Sequence, residues 1–350
     1  MTAVTGSTEL PTSELAEVFE IFPARTNPHL DAAVAHLDRW VAQYDLVGTA
    51  AARERFARAD FGWFAAVTYT TADENGLCLI ADWFAWLFLL DDQLDDGLLG
   101  KDPARTGELM QQIFVVLGGD GDVTPPGAPC LVTSLADLWR RTKAAPGWRE
   151  RFVEHVIAGG LAARWEAENR ARGTVPDVAS YVENRRHTGA IYVCMDLIEV
   201  TEHLDVPDPV YRSEPFQRAL RSACDVVCWT NDLYSLDKET ALGEYHNLVT
   251  VMRFADGLTA AEAAGRVGKH IALEVEAFVR HEAEALKAWP DHEGPLGTYF
   301  AGMRSWMRGN LDWSVNTRRY RDAYGIPTEA VAYLEPALIT TSGSGPEQSR

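Results

Sequence analysis

The sequence predicts an all-α fold, a single-domain helical bundle of about ten helices. Three observations predict it. Apolar residues recur at helical spacing almost throughout, clean period-two alternation is absent, and Pro and Gly stand where helices start and stop. Helices without a sheet must bury their apolar stripes against one another, which makes a bundle. The predicted helices cover 28–46, 50–58, 73–96, 103–117, 131–142, 147–172, 177–203, 213–240, 258–288 and 294–321. Pro28 and Pro103 suit a first turn, Asp177 after Pro176 suits a cap, and Gly97 and Gly173 sit just past helix ends. Residues 1–24, rich in Thr, Ser, Glu and Pro, read as a flexible arm. Residues 25–325 form the domain, and 326–350 a tail ending in the disordered TSGSGPEQSR.

Composition narrows the function. The chain has 350 residues and a net charge of −19, which argues against nucleic acid or an anionic membrane as partner. An acidic protein that binds an anionic substrate needs borrowed positive charge, and metal ions are the obvious source. Five cysteines without a CxxC pair point to a reducing compartment and no zinc site. No basic residue precedes Arg25, no signal peptide is legible, and the longest apolar run, Trp83 to Leu90, is too short to span a membrane. A cytoplasmic location without stable membrane insertion is expected.

Two acidic clusters carry the chemistry. In ADWFAWLFLLDDQLDDG, Asp91 and Asp95 share one helical row and Asp92 and Asp96 the next. Acids at a helix C-terminus are disfavoured by about 0.3–1 kcal/mol each, and like charges at i+4 add to this. A solvated helix end could tolerate that, but these acids follow Trp83, Phe84, Trp86, Leu87, Phe88, Leu89 and Leu90. A segment apolar on all sides is interior, so its end should open into a cavity where carboxylates hold a hard cation such as Mg²⁺. In NDLYSLDKE, Asn231, Ser235 and Glu239 form one stripe of amide, hydroxyl and carboxylate donors, acceptable to Mg²⁺ and unsuited to zinc.

Together the clusters resemble the metal-binding signatures of bacterial class I terpene synthases, over about residues 22–325. DDQLD at 91–95 is similar to the family's aspartate-rich motif, and NDLYSLDKE at 231–239 to its Asn/Ser/Glu motif. The resemblance implies three Mg²⁺ ions. Asp91 would bridge two, with Asp92 and Asp95 orienting the loop or ligating through water, and Asn231, Ser235 and Glu239 would chelate the third. Asp96 extends the usual motif, which leaves open which aspartates touch metal. Arg185 in ENRRHTGA resembles the diphosphate-sensing arginine, although the adjacent Arg186 competes for that role. Thr188 and Gly189 fall at the family's helix break and effector carbonyl. Arg319 and Tyr320 match its Arg-Tyr pair, and Lys238 its basic residue before the glutamate. A planar guanidinium grips phosphate oxygens in a bidentate way.

Phe88 and Trp313 match positions that line the family's pocket, where aromatic faces stabilise a carbocation by roughly 0.5–2 kcal/mol each. Phe61, Trp63, Phe64, Trp83 and Trp229 are further candidates. The resemblance therefore implies a class I terpene cyclase that ionises an isoprenyl diphosphate, farnesyl diphosphate first and geranylgeranyl diphosphate as the alternative, and releases pyrophosphate. A homodimer is compatible with it. Three rivals differ in testable ways. A prenyl diphosphate synthase would carry a second aspartate-rich motif. A di-metal carboxylate bundle would carry Glu-x-x-His pairs, and none of the nine histidines has one. A helical interaction module would show no metal-dependent diphosphate release.

Overall fold

The computed structural model describes residues 12–95, 102–321 and 338–339. Among the described residues there are sixteen α-helices and no strand. They are α1 (Thr12–Val18), α2 (Leu30–Gln43), α3 (Ala50–Ala59), α4 (Phe61–Thr68), α5 (Glu74–Asp95), α6 (Pro103–Leu117), α7 (Cys130–Arg141), α8 (Pro146–Arg172), α9 (Val178–Thr188) and α10 (Ile191–Thr201). The chain continues through α11 (Asp208–Tyr211), α12 (Glu214–Leu242), α13 (Leu248–Asp256), α14 (Ala260–Ala288), α15 (Glu293–Asn316) and α16 (Arg318–Arg321).

Most of the punctuation works as the sequence predicts, although Pro28 stands in the turn before α2 and not in its first turn. Pro103 opens α6 and Gly173 ends α8 at φ 63°. The Asp177 side chain caps α9 by accepting from the Ser180 amide. Thr259 and Glu262 close a reciprocal capping box on α14. Gly97 lies outside the described residues.

Four expectations change. Residues 12–22, read as part of a flexible arm, are helical in part, and Leu15, Phe19 and Phe22 are buried in the core. The span 177–203 is two helices, and the last predicted helix breaks at Thr317. α4 and α13 were not separated from loop; α4 is apolar on all sides and offers no periodic stripe to read. Within the predicted tail Leu338 is buried, while 341–350 lie outside the described residues.

α5, α12 and α15 matter most for the site. α5 is sunk into the core along Trp83, Phe84, Ala85 and Trp86 and delivers Asp91 at its end. α12 packs along α14 and α15, buried from Phe216 through Leu236. Gly309 lets α15 close on α4, since a Cβ there would stand 2.3 Å from the Val67 carbonyl oxygen. No helix among the described residues is long and apolar enough to cross a membrane.

Candidate active site

One cavity gathers most of the predicted residues. Asp91, Arg185, Gly189, Asn231, Ser235, Lys238, Glu239, Arg319 and Tyr320 line it together with Phe88 and Trp313. They come from α5, the α9–α10 junction, α12, α15 and α16, so segments distant in sequence converge at the helix ends.

The polar end is tied together through α12. Arg185 donates from Nη2 to Asn231 Oδ1 at 2.8 Å and from Nε to Asp232 Oδ1 at 2.9 Å. Asn231 Nδ2 donates to the Tyr320 hydroxyl at 2.6 Å, so one amide links Arg185 to Tyr320. Asp232, fully buried, also accepts from the Tyr181 hydroxyl at 2.7 Å and from the Leu248 amide at 3.0 Å. This anchoring role of Asp232 depends on tertiary partners from α9 and α13. Arg185 and Arg186 point in different directions: Arg185 lines the cavity and Arg186 does not. Arg186 turns away and grips Asp225 with two hydrogen bonds of 2.7 and 2.9 Å.

The α9–α10 break differs in detail from expectation. Gly189 keeps an ordinary right-handed conformation and Ala190 takes the positive φ of 53°. Glycine is needed at 189 for room, because a Cβ would lie 3.1 Å from both Arg185 Nη1 and the Arg185 carbonyl oxygen.

The aspartate-rich segment divides. Asp91 lines the cavity, its side chain 41% exposed and 3.6 Å from Arg319 Nη2. Asp92 does not line it. Its carboxylate turns into an adjoining small hollow and is held by Arg319 at 2.7 and 3.2 Å and by Arg55 at 2.9 and 3.3 Å. Burial opposes that charge, but Arg319, Arg55 and Lys238 outweigh it and hold the carboxyl well below its usual range. Two guanidiniums thus hold both oxygens of Asp92, which the resemblance gives as orienting the loop or ligating through water. The side chains of Asp95 and Asp96 lie outside the described residues.

Donor chemistry on α12 fits a hard cation. Ser235 donates to the Asn231 carbonyl at 2.8 Å, and Glu239 Oε2 accepts from Asn247 at 2.8 Å. Burial, and then the charge of Asp232, push the Glu239 carboxyl up to about 7. A buried carboxylate under that strain gains from a neighbouring cation. Among the described residues no group of three or more His, Cys, Asp or Glu side chains is placed to hold a metal ion.

Behind the polar end the wall is aromatic. Trp313 stacks on Phe64 at 4.2 Å, Phe88 lies 5.7 Å from Trp313, and the Arg319 guanidinium sits 5.0 Å over Phe88. Of the further aromatic candidates, Phe64 and Trp83 line the cavity, whereas Phe61, Trp63 and Trp229 do not. Phe84, Trp86, Trp306 and His155 line it without having been singled out, because a helix buried on all sides gives no pattern marking the lumen face.

A family model described as "Terpene synthase family 2, C-terminal metal binding" matches residues 82–277, more than half of the chain. The chain belongs to this terpene synthase family. The synthase is 36% identical over 302 residues to the (+)-T-muurolol synthase of Roseiflexus castenholzii, covering 85% of this chain and 91% of that protein. It is 34% identical over 305 residues to the (-)-delta-cadinene synthase of Streptomyces clavuligerus, covering 84% and 92%. Among solved structures it superposes on germacradien-4-ol synthase from Streptomyces citricolor with a TM-score of 0.75 at 25% identity, covering 90% and 100%. A linalool/nerolidol synthase from Streptomyces clavuligerus in complex with 2-fluorogeranyl diphosphate gives a TM-score of 0.74 at 28% identity, covering 83% and 100%. The synthase is thus a metal-binding class I terpene synthase acting on an isoprenyl diphosphate.

Proposed function

We propose that the synthase ionises farnesyl diphosphate and closes the released C15 cation into a cyclic sesquiterpene. The observation that carries this reading is the joining of two surfaces in one cavity. Asp91, Arg185, Asn231, Glu239, Arg319 and Tyr320 form a polar end that opens directly onto Phe64, Phe88, Trp306 and Trp313. The C15 substrate is supported by the relative whose name describes it as (2E,6E)-farnesyl diphosphate cyclizing. That favours farnesyl over geranylgeranyl diphosphate.

The family binds a divalent metal. Three Mg²⁺ ions are proposed, held by Asp91 on one side, with the neighbouring Asp95, and by Asn231, Ser235 and Glu239 on the other. When bound, they neutralise diphosphate oxygens and stabilise the charge that builds on the leaving group. The chain's own groups do the rest. Arg185, oriented by Asn231 and Asp232, and Arg319, oriented by Asp92, present forked N–H donors to an anion. Tyr320, set by its bond to Asn231, adds a hydroxyl, and Lys238 a point charge. The aromatic wall keeps water away and offers ring faces to the cation.

The test is incubation with C10, C15 and C20 diphosphates plus Mg²⁺, with gas chromatography of the extract. Cyclic C15 products that vanish with chelator, and that fall sharply in Asn231→Ala and Glu239→Ala, are expected. Near-wild-type turnover in those variants would refute the metal role, and cyclic C20 products alone would shift the substrate to geranylgeranyl diphosphate.

A further inference from the structure

Beyond the aromatic rings, the lumen wall carries polar groups that the diphosphate chemistry does not use, Asn310 among them. Asn310 lies on α15 between Trp306, one turn before it, and Trp313, one turn after, and all three line the cavity. The residue is 2% exposed. Its Nδ2 donates to the Val227 carbonyl of α12 at 3.1 Å. That carbonyl can only accept, so the NH₂ must face α12 and the amide oxygen must be the other end. Oδ1 makes no hydrogen bond among the described residues. An amide oxygen turned to a largely aromatic lumen without a protein partner is uncommon, because its desolvation is normally compensated.

The placement is rigid. Gly309 brings α15 against the α4 backbone at Val67, and the Val227 bond fixes the amide to α12. Oδ1 therefore cannot swing aside to find a partner without breaking that bond. We propose that Asn310 is a specificity-determining residue whose amide oxygen, held at the level of Trp306 and Trp313, draws positive charge in the migrating carbocation to that depth. A carbonyl dipole fixed in a dry cavity acts on developing charge without reorganising. Ring faces stabilise a cation diffusely; one oxygen at a fixed point discriminates between carbons of the chain. Which carbon bears the charge longest decides which ring closes and which hydrogen is lost.

The inference rests on the cyclase reading above, and the experiment separates the two. The unmodified synthase and the variants Asn310→Leu and Asn310→Asp are given farnesyl diphosphate and Mg²⁺, and product ratios, turnover and melting temperature are recorded. Leucine keeps the branched four-atom skeleton of asparagine and removes the dipole, though its methyl groups take more room. Aspartate, kept neutral by burial, retains both an oxygen for the lumen and a donor for Val227. The expected result is a change of about tenfold in product ratios for Asn310→Leu, below the roughly 10²–10³-fold that loss of one preorganised donor costs a rate, with ratios returning toward those of the unmodified enzyme in Asn310→Asp. Asn310→Ala, which needs no added room, carries the same test if the leucine variant does not fold. Unchanged ratios in the leucine or alanine variant, or equal shifts in leucine and aspartate, overturn the role of the oxygen. Absence of any cyclic product from the unmodified synthase overturns the cyclase reading instead.

Discussion

Asp92 accepts two hydrogen bonds from Arg319 at 2.7 and 3.2 Å, joining the end of α5 to α16 across 227 residues of sequence. Arg55 shares the same carboxylate, so one aspartate stands between two guanidiniums. The pair positions Arg319 beside Asp91 and over Phe88. Removing one partner of a buried pair strands the others, at about 3–5 kcal/mol. Asp92→Ala is therefore expected to unfold at lower urea and to lose about 10²-fold in turnover as Arg319 loses its orientation. Mg²⁺ titration gives the sharper comparison. Asp91→Asn should raise the Mg²⁺ concentration for half-maximal rate, and Asp92→Asn should leave it nearly unchanged. An equal increase in both would place Asp92 among the metal ligands with Asp91.

Gly189 and Arg185 pose a different constraint, one of space. A methyl group at 189 would sit 3.1 Å from the Arg185 guanidinium and 3.1 Å from its carbonyl. The side chain can shift, the helical backbone far less. Gly189→Ala should fold with little change in melting temperature but lose turnover by about tenfold, since displacement of a positioned group by a fraction of an ångström is enough. A fully active alanine variant would show that Arg185 has more freedom than its bonds to Asn231 and Asp232 suggest.

Much of this site was legible in the sequence because its chemistry is local. Asn231, Ser235 and Glu239 share a helix face by spacing alone, and Asp91 follows an apolar run that had to be interior. What was not legible depends on partners distant in the chain. Nothing around Asp92 reveals Arg55, 37 residues earlier, and nothing around Asp232 reveals Tyr181. The helix predicted over 177–203 broke because Ala190 takes a left-handed conformation that composition does not demand, with α10 starting afresh at Ile191. α13 was missed because it has only nine residues and begins at an Asn247 cap bound to Asp232 and Glu239 from α12.

Two glycines on α15 should respond oppositely to the same substitution. At Gly309 a Cβ would stand 2.3 Å from the Val67 carbonyl oxygen and 2.6 Å from its carbon, both backbone. α4 and α15 would have to part, at a cost of about 1–3 kcal/mol or more. At Gly297 a Cβ meets nothing within 4 Å, so alanine should stabilise the helix by roughly 0.5–1 kcal/mol. Urea melts of Gly309→Ala and Gly297→Ala test the pair. A Gly309→Ala variant as stable as the parent would mean that the α4–α15 contact is not tight in solution.

His155 gives the fold a pH dependence whose sign can be worked out. Its Nδ1 lies 2.6 Å from Asp196 Oδ2, while Asp196 Oδ1 accepts from the Tyr211 hydroxyl at 2.9 Å. Asp196 is fully buried. Burial alone would lower the imidazole's pKa, but the charge and hydrogen bond of Asp196 outweigh it and raise the value above the ordinary 6.5. A histidine that binds its proton more tightly folded than unfolded contributes stability that is complete below pH 6.5 and fades as pH rises through the raised value. The parent should therefore exceed His155→Gln in unfolding free energy by the largest margin at pH 6, with the margin narrowing steadily toward pH 9. Urea melts at four or five pH values measure it directly. A margin that stays constant would show that the contact is an uncharged hydrogen bond, and one that widens with pH would place the charge on some other group.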